Sequence, residues 1–360
     1  MARHHYIPIS ILSTFASTDA WRAVDASSDV KSRIANNDRE TILYGQQRNW
    51  PVCVYEKDRH RLTRKPIGKV FSQAGLYQVP DYNDRLTRAF VHFNLLFNHP
   101  DDPLQIPGFD EFMQLGDEPL DPELIEQVNV GEIDREFARL LPALRNGKRL
   151  TEDQISTVLR FVAFSRFRTP IWREVYLPET FGRTLFPYRQ AIIQLCRNAK
   201  NYEEKWGLSF DGIMKAIDDH IYHMALVEYS SKEFNALSSM RDPKVTVLHS
   251  RSSLRFVTCD NPSRPYYPDR VRRMFAEQLP GFADPRVQVV YPIDPNSCLL
   301  ITSNPTHPVF SHRSVKTKQV RAVNAALAIM AAKEIVLPEP NTSVFEDWLR
   351  LEELRPIKRP

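Results

Sequence analysis

Apolar residues recur every three or four positions through the middle of the chain. Between Glu123 and Leu144 this spacing predicts an amphipathic helix, which Asn146-Gly147 can end. Thr151-Glu152-Asp153-Gln154 is a capping box, which predicts the start of the next helix, and Thr169-Pro170 predicts its end. The same spacing predicts further helices over residues 84–98, 187–200 and 209–240.

Short alternating or β-branched runs flank this helical region on both sides. Trp50 to Tyr55 is one such run, and Pro8 predicts a short helix near the N-terminus. After Met240 the pattern predicts strands over residues 245–248, 255–258, 287–291 and 298–302, and a last helix over residues 315–335. The expected fold class is α+β, with a mixed or antiparallel sheet built from N-terminal and C-terminal strands and packed with a central helical region.

The predicted elements form a single domain over residues 1–335, followed by a helical tail over residues 336–360. Residues 99–122 interrupt the helical pattern with acidic residues and prolines. This composition predicts an acidic surface loop or insertion with low helix propensity.

Composition excludes a few classes of protein and leaves others open. The net charge of +4 is small for 360 residues, so nucleic acid is a candidate partner that the charge does not require. Gly-x-Gly-x-x-Gly and Gly-x-x-x-x-Gly-Lys-Ser/Thr loops are absent from the sequence, so no nucleotide cofactor is expected. The longest apolar stretches contain charges, so no membrane association is expected either.

The four cysteines are Cys53, Cys196, Cys259 and Cys298, and no two of them form a Cys-x-x-Cys pair. Their apolar surroundings favour buried free thiols in a reducing compartment. No apolar segment of a secretory signal follows Met1. A cytoplasmic location is therefore expected.

Several short blocks, taken in order, resemble the domain-of-unknown-function family 4238. The first is His5-Tyr6-Ile7-Pro8, which resembles the His-Tyr-x-Pro opening of that family, although Ile9 stands where the family usually has glutamine. The later blocks are Val52 to Lys57, Leu76-Tyr77, Phe164 to Pro170, Phe256 to Pro262, Tyr291 to Pro295, and Asn324 in the final helix. The resemblance implies an architecture and a set of candidate site residues, but no activity.

Two blocks contain residues that could carry chemistry. His4 and His5 precede a proline-started helix, and an imidazole can act as a base or as a metal ligand, although a structural histidine has the same pattern. Asp260-Asn261-Pro262 follows a predicted strand, where a carboxylate can bind metal or transfer a proton. Asp-Asn-Pro is also ordinary turn chemistry, in which the carboxylate bonds nearby amides.

Arginines and glutamates of the central helices are further candidates. Arg166 and Arg168 could hold a phosphate or a carboxylate, although the last turn of a helix favours cations in any case. Glu126 and Glu132 could contribute metal ligands, and solvated helix surface is the alternative for these glutamates and for Glu136. His220 and His223, after Asp218-Asp219, could bind zinc from one helix face, but a polar helix face is the default interpretation.

The leading hypothesis from the sequence is a metal-assisted phosphodiester hydrolase, similar to a nuclease. In this hypothesis His5 is the base or a ligand, while Asp260 with Glu126 or Glu132 holds Mg²⁺ or Mn²⁺. Arg168 neutralises a phosphate, and substrate binding falls to Arg166, Arg168, Asn261 and Asn324. The alternative is a non-enzymatic binding or regulatory module in which the same polar residues form a structural network.

Overall fold

The structure is a computed structural model, and the residues that it describes form two compact units. It describes residues 3–5, 7–16, 49–74, 84–97, 108–120, 130–169, 172, 185–199, 202–239, 243–263, 286–303 and 309–340. The sheet unit comprises residues 1–74, 133–169 and 230–360, and the helical unit comprises residues 75–132 and 170–229. The single domain expected over residues 1–335 stays a prediction.

The strands of the described residues come from both ends of the chain. They are β1 (Arg3–His5), β2 (Pro51–Glu56), β3 (Arg61–Pro66), β4 (Ser72–Ala74), β5 (Lys244–Ser250), β6 (Thr258–Cys259), β7 (Gln288–Asp294), β8 (Ser297–Thr302), β9 (Phe310–Val315) and β10 (Glu334–Leu337). The helices are α1 (Ile9–Leu12), α2 (Arg85–Phe97), α3 (Phe109–Leu115), α4 (Val130–Arg145), α5 (Glu152–Phe167), α6 (Leu185–Asn198), α7 (Tyr202–Trp206), α8 (Phe210–Ser239) and α9 (Thr317–Met330).

In the described part of the sheet unit, the strands form two four-stranded sheets and one strand pair. The first sheet has the order β3-β2-β10-β6 and is antiparallel throughout. The second has the order β7-β8-β5-β9, in which only β5 and β9 run parallel. β1 pairs with β4. The α+β prediction is confirmed, and the first sheet is built from N-terminal and C-terminal strands.

Helix α9 forms the centre of a core that takes residues from both sheets. Most of its apolar residues are buried, and Val320 and Leu327 are fully so. Tyr55 and Ile335 reach this core from the first sheet, and Val290 does so from the second. Each fully buried side chain of this size contributes about 1.5–3 kcal/mol, so α9 is a main source of stability for the sheet unit.

The helical unit has a separate core rich in aromatic residues. The ring centroids of Phe90 and Phe93 lie 5.5 and 5.6 Å from that of Phe112. Ile192 and Ile213 complete this cluster from α6 and α8. A Cβ added at Gly116 would lie 2.1 Å from the carbonyl oxygen of Arg85, so only glycine fits at the end of α3.

Several helix boundaries follow the sequence prediction, because local capping determines them. The Thr151 hydroxyl accepts a hydrogen bond from the Gln154 amide, and Gln154 accepts one from the Thr151 amide, as the capping box predicts. Gly147 has φ of +72°, the left-handed conformation that ends α4. Pro8 is the N-cap of α1, and Ile7, Ile11, Leu12 and Phe15 are buried.

Other boundaries differ from the prediction. Residues 109–115, expected in a loop or insertion, form α3, because buried Phe109, Phe112 and Met113 outweigh the low helix propensity around them. The last helix ends at Met330, and the region of its predicted end forms β10. Residues 336–337 therefore belong to a strand, while the rest of the expected tail beyond residue 340 lies outside the described residues.

Side-chain exposure relates to the expected burial of the cysteines, and helix length relates to the expected lack of membrane association. All four cysteines are free, and three are buried, but Cys53 is partly exposed. In the part of the chain that the structure describes, no helix is long and apolar enough to cross a bilayer.

Candidate functional site

The Asp260 carboxylate lies in the core, directly after β6. Asp260 is 5% exposed. Its Oδ1 accepts a hydrogen bond from the amide of Ala332 at 2.7 Å. Its Oδ2 accepts from the amides of Lys333 at 2.6 Å and Glu334 at 3.1 Å. The carboxylate therefore satisfies the amides of the turn that joins α9 to β10 and fixes that turn to β6.

The electrostatics of Asp260 combine two opposing effects. Burial raises the pKa of Asp260 to about 6, while the three amide donors oppose the rise and the nearby Glu334 adds to it. Because both oxygens already accept amide hydrogen bonds, a metal ion would have to compete with them. Among the described residues, no group of three or more His, Cys, Asp or Glu side chains could hold a metal ion.

Two asparagines extend this arrangement along α9. Asn324 is fully buried, and its Oδ1 accepts from the amide of Val257 at 3.1 Å while its Nδ2 donates to the carbonyl of Arg255 at 2.8 Å. Asn261 Nδ2 donates to the carbonyl of Met330 at 3.5 Å. We call Asp260, Asn261 and Asn324 the polar lock, because together they bind the segment around β6 to the middle and the C-terminal end of α9.

Arg168 lies at the C-terminal end of α5 and is 1% exposed. Its Nη1 is 2.7 Å from Oδ1 of Asp134, a residue of α4 that the sequence analysis did not single out. The guanidinium carbon lies 5.1 Å from the centroid of the Phe164 ring. Arg166 is partly exposed and lies over the ring of Phe167. Arg168 is therefore a buried cation whose charge is balanced by the partly exposed carboxylate of Asp134.

Tyr291 of β7 belongs to the same region of the sheet unit. It is fully buried, and its ring meets Phe161 edge to face at 5.3 Å. Burial raises the pKa of the Tyr291 hydroxyl, while Arg168 and the hydroxyl of Ser165 act against that rise. Tyr291 therefore stays neutral at physiological pH.

The remaining predicted ligands are not brought together by the described residues. Glu132 is exposed on α4, and Glu126 lies outside the described residues. His5 is in β1, opposite Ser72, rather than at the start of α1, and its side chain also lies outside the described part. The meeting of His5 with Asp260 therefore stays a prediction.

A pair of histidines that the sequence analysis missed forms a linear contact between β5 and β9. Nε2 of His249 lies 2.9 Å from Nδ1 of His312, and their ring planes differ by 17°. The centroids of the two rings are 5.2 Å apart, and the two nitrogens are 2.9 Å apart. The difference between these distances is about the width of one imidazole ring. Both nitrogens therefore lie near the line joining the centroids, as in a hydrogen bond between rings and unlike two ligands converging on one metal.

One carbonyl determines the direction of this hydrogen-bond chain. Nε2 of His312 lies 3.0 Å from the carbonyl oxygen of Lys148, which can only accept, so this nitrogen bears a proton. In the neutral ring Nδ1 then accepts from His249, and Nδ1 of His249 accepts from the Ser297 hydroxyl at 3.4 Å. Alternating strand positions gave no sign of this pairing, because it joins residues 63 apart in sequence.

The histidines of α8 belong to the core of the helical unit. The ring of His220 is stacked on Phe90 with centroids 5.8 Å apart. Burial, and then the neighbouring His223, lower the pKa of His220 to about 3. His220 is therefore neutral and packed like an aromatic core residue.

The fold and these contacts define an α+β protein whose first sheet combines strands from both ends of the chain and whose main polar blocks hold helices to strands. The chain belongs to the family described as proteins of unknown function DUF4238, whose model matches residues 3–339. No curated protein and no solved structure matches the chain.

Proposed function

We propose that this chain is a non-enzymatic binding module in which the polar lock maintains the frame that presents a binding surface. The observation that supports the proposal most directly is the Asp260 carboxylate, which is buried and accepts three backbone amides. A buried carboxylate with these contacts satisfies backbone amides. Without an acceptor, those buried amides would lower the stability of the fold. Asn324 has the same role, since its side chain both accepts from and donates to backbone groups.

The metal-assisted hydrolase of the sequence analysis remains the competing proposal. It requires Asp260 to exchange amide donors for Mg²⁺ or Mn²⁺ and requires His5 to approach it. Arg168, its phosphate ligand, is buried against Asp134. A cytoplasmic location is part of the binding-module proposal as well.

Substitution of Asp260 distinguishes the two proposals. Asp260→Ala should lower the free energy of unfolding by about 3 kcal/mol or more, because three amides lose their acceptor. Asp260→Asn should be destabilised too, since its NH₂ group would face an amide donor. The control is Asp58→Ala, an exposed acid in the turn after β2, for which a change within about 0.5 kcal/mol is expected. Urea unfolding measures all three.

A cleavage assay on single-stranded RNA and DNA completes the test. The binding module predicts no cleavage in Mg²⁺ or Mn²⁺. Cleavage by the wild-type chain that a chelator stops, and that Asp260→Asn abolishes without loss of stability, would overturn the proposal in favour of the hydrolase.

A further inference from the structure

Two neighbouring segments of the sheet unit contain basic residues but no acidic ones. Residues 244–259 and 309–332 include no Asp or Glu. Their basic residues are Lys244, Arg251, Arg255, Arg313, Lys316, Lys318 and Arg321. In a chain with a net charge of only +4, this is a pronounced local excess of positive charge.

Five of these residues lie on the surface around the start of α9. Arg251, Arg313, Lys316, Lys318 and Arg321 are all exposed, and we call them the basic surface. The amide of Arg251 donates to the carbonyl of Val315 at 3.3 Å, which places Arg251 beside Lys316. Lys318 and Arg321 are three positions apart on α9 and share a face.

Within the described ranges, none of these five side chains forms an ion pair. By contrast, other cations of the sheet unit do: Lys65 contacts Glu56 and Glu334 at 2.6 Å, and Arg145 contacts Asp294 at 3.1 Å. The first turn of α9 has no acidic residue, so the cations also repel the positive end of the helix dipole. Charges arranged against local stability are typical of a surface that binds an anion.

The spread and composition of the basic surface favour a polymer of phosphates. The cations extend from the end of β5 over more than one turn of α9, and exposed hydroxyls of Ser253, Ser314 and Thr317 lie among them. Arginine, lysine and hydroxyl side chains are the usual contacts to nucleic-acid phosphates. A bilayer would need an apolar anchor, but Val320 and Leu327 of α9 are buried in the core.

We propose that the basic surface binds the phosphate backbone of a nucleic acid. This inference rests on the proposed binding module and names its partner. Neutralising phosphates releases condensed counterions, so binding should weaken steeply as salt increases. No contact to base edges is implied, so affinity should depend little on sequence.

Charge reversal on the exposed face of α9 tests the proposal. Anisotropy of labelled RNA and DNA strands, single and duplex, is measured with the full chain between about 50 and 200 mM salt. The double variant K318E/R321E should bind at least about 10-fold more weakly and should reduce the slope of log K against log salt by about two. Both positions are exposed, so the fold should be retained, and circular dichroism checks this.

The matched control is R139E/R160E, which makes the same change in net charge on exposed positions of α4 and α5. It should retain nearly wild-type affinity. Equal weakening of both variants would mean that net charge alone drives binding, and would overturn the proposal. The proposal would also be overturned if the wild-type chain bound vesicles containing phosphatidylserine and did not bind nucleic acid.

The experiments can contradict the binding-module proposal and the basic-surface proposal independently of each other. If nucleic acid binds through the basic surface and is then cut in Mg²⁺ by a reaction that needs Asp260, the binding-module proposal fails while the surface stands. If no nucleic acid binds but Asp260→Ala is strongly destabilised, the lock stands and the partner is wrong.

Discussion

The two ends of α9 are built in opposite ways. At its C-terminal end, the ammonium of Lys57 donates to the carbonyls of Ala328 at 3.1 Å and Ala331 at 2.8 Å, and Asp260 accepts from the turn that follows. This cation complements the negative end of the helix dipole. At the N-terminal end, Lys316 and Lys318 are exposed, and no acid stands in the first turn. Here the charges oppose the dipole.

This difference separates polar groups that stabilise the fold from those available to a partner. Buried Asp260 and Asn324 bond backbone groups of this chain, so their chemistry is already used. The exposed cations at the N-terminal end of α9 form no ion pair within the described residues. The candidate for binding is therefore the exposed end and not the buried one.

The largest effect is expected at the polar lock, in which Asn324 lies at the middle of α9. Asn324→Ala should lower the free energy of unfolding by about 2–4 kcal/mol, because the buried amide of Val257 and carbonyl of Arg255 lose their partner and a small cavity forms. Urea unfolding measures the loss. Ala322→Asn on the exposed face of α9 is the control, with an expected loss of well under 1 kcal/mol. Similar losses for both variants would contradict the lock.

An identical substitution at the two ends sharpens the comparison. Lys57→Met should cost about 1 kcal/mol, since two helix carbonyls lose a charged donor. Lys318→Met should be neutral or stabilising by a few tenths of a kcal/mol, because it removes a cation from the positive end of the dipole. Thermal unfolding of both variants at low salt measures the two changes in stability. A loss of stability at Lys318 equal to that at Lys57 would remove the distinction.

The smallest effect concerns pH and the His249–His312 pair. Burial, and then His312, lower the pKa of His249, while Asp294 acts against this. The histidine pKa in the unfolded state is about 6.5, so below this pH the unfolded state binds more protons than the folded state does. The stability that neutral His249 contributes above that pH is therefore lost as pH falls below it. The melting temperature of wild type should therefore fall more between pH 7.5 and pH 5 than that of His249→Phe. Parallel pH dependence in the two proteins would contradict the lowered pKa of His249.

Local sequence rules predicted the elements that local forces determine. The capping box at Thr151 and the end of α4 at Gly147 depend on neighbouring residues and were predicted correctly. β10 and α3 depend on distant partners, as Ile335 opposite Tyr55 shows, and the periodicity did not reveal them.

The sequence indicated candidate polar residues but not the groups that they contact. The side chains of Asp260, Asn261 and Asn324 all bond backbone amides or carbonyls. Only the structure shows these contacts. Asp134, the partner of Arg168, and the two histidines of β5 and β9 were missed, because single residues in ordinary helices and strands give no pattern.

The placement of β10 has a consequence for biosynthesis. This strand lies between β2 and β6, pairing Val336 with Val54 on one side and Thr258 on the other. On the ribosome, β2 emerges long before β10. One edge of β2 therefore stays unpaired until almost all of residues 3–339 have been translated. Sheets completed by such distant pairings close slowly. The nascent chain should therefore depend on chaperones that shield an open strand until residue 337 is free.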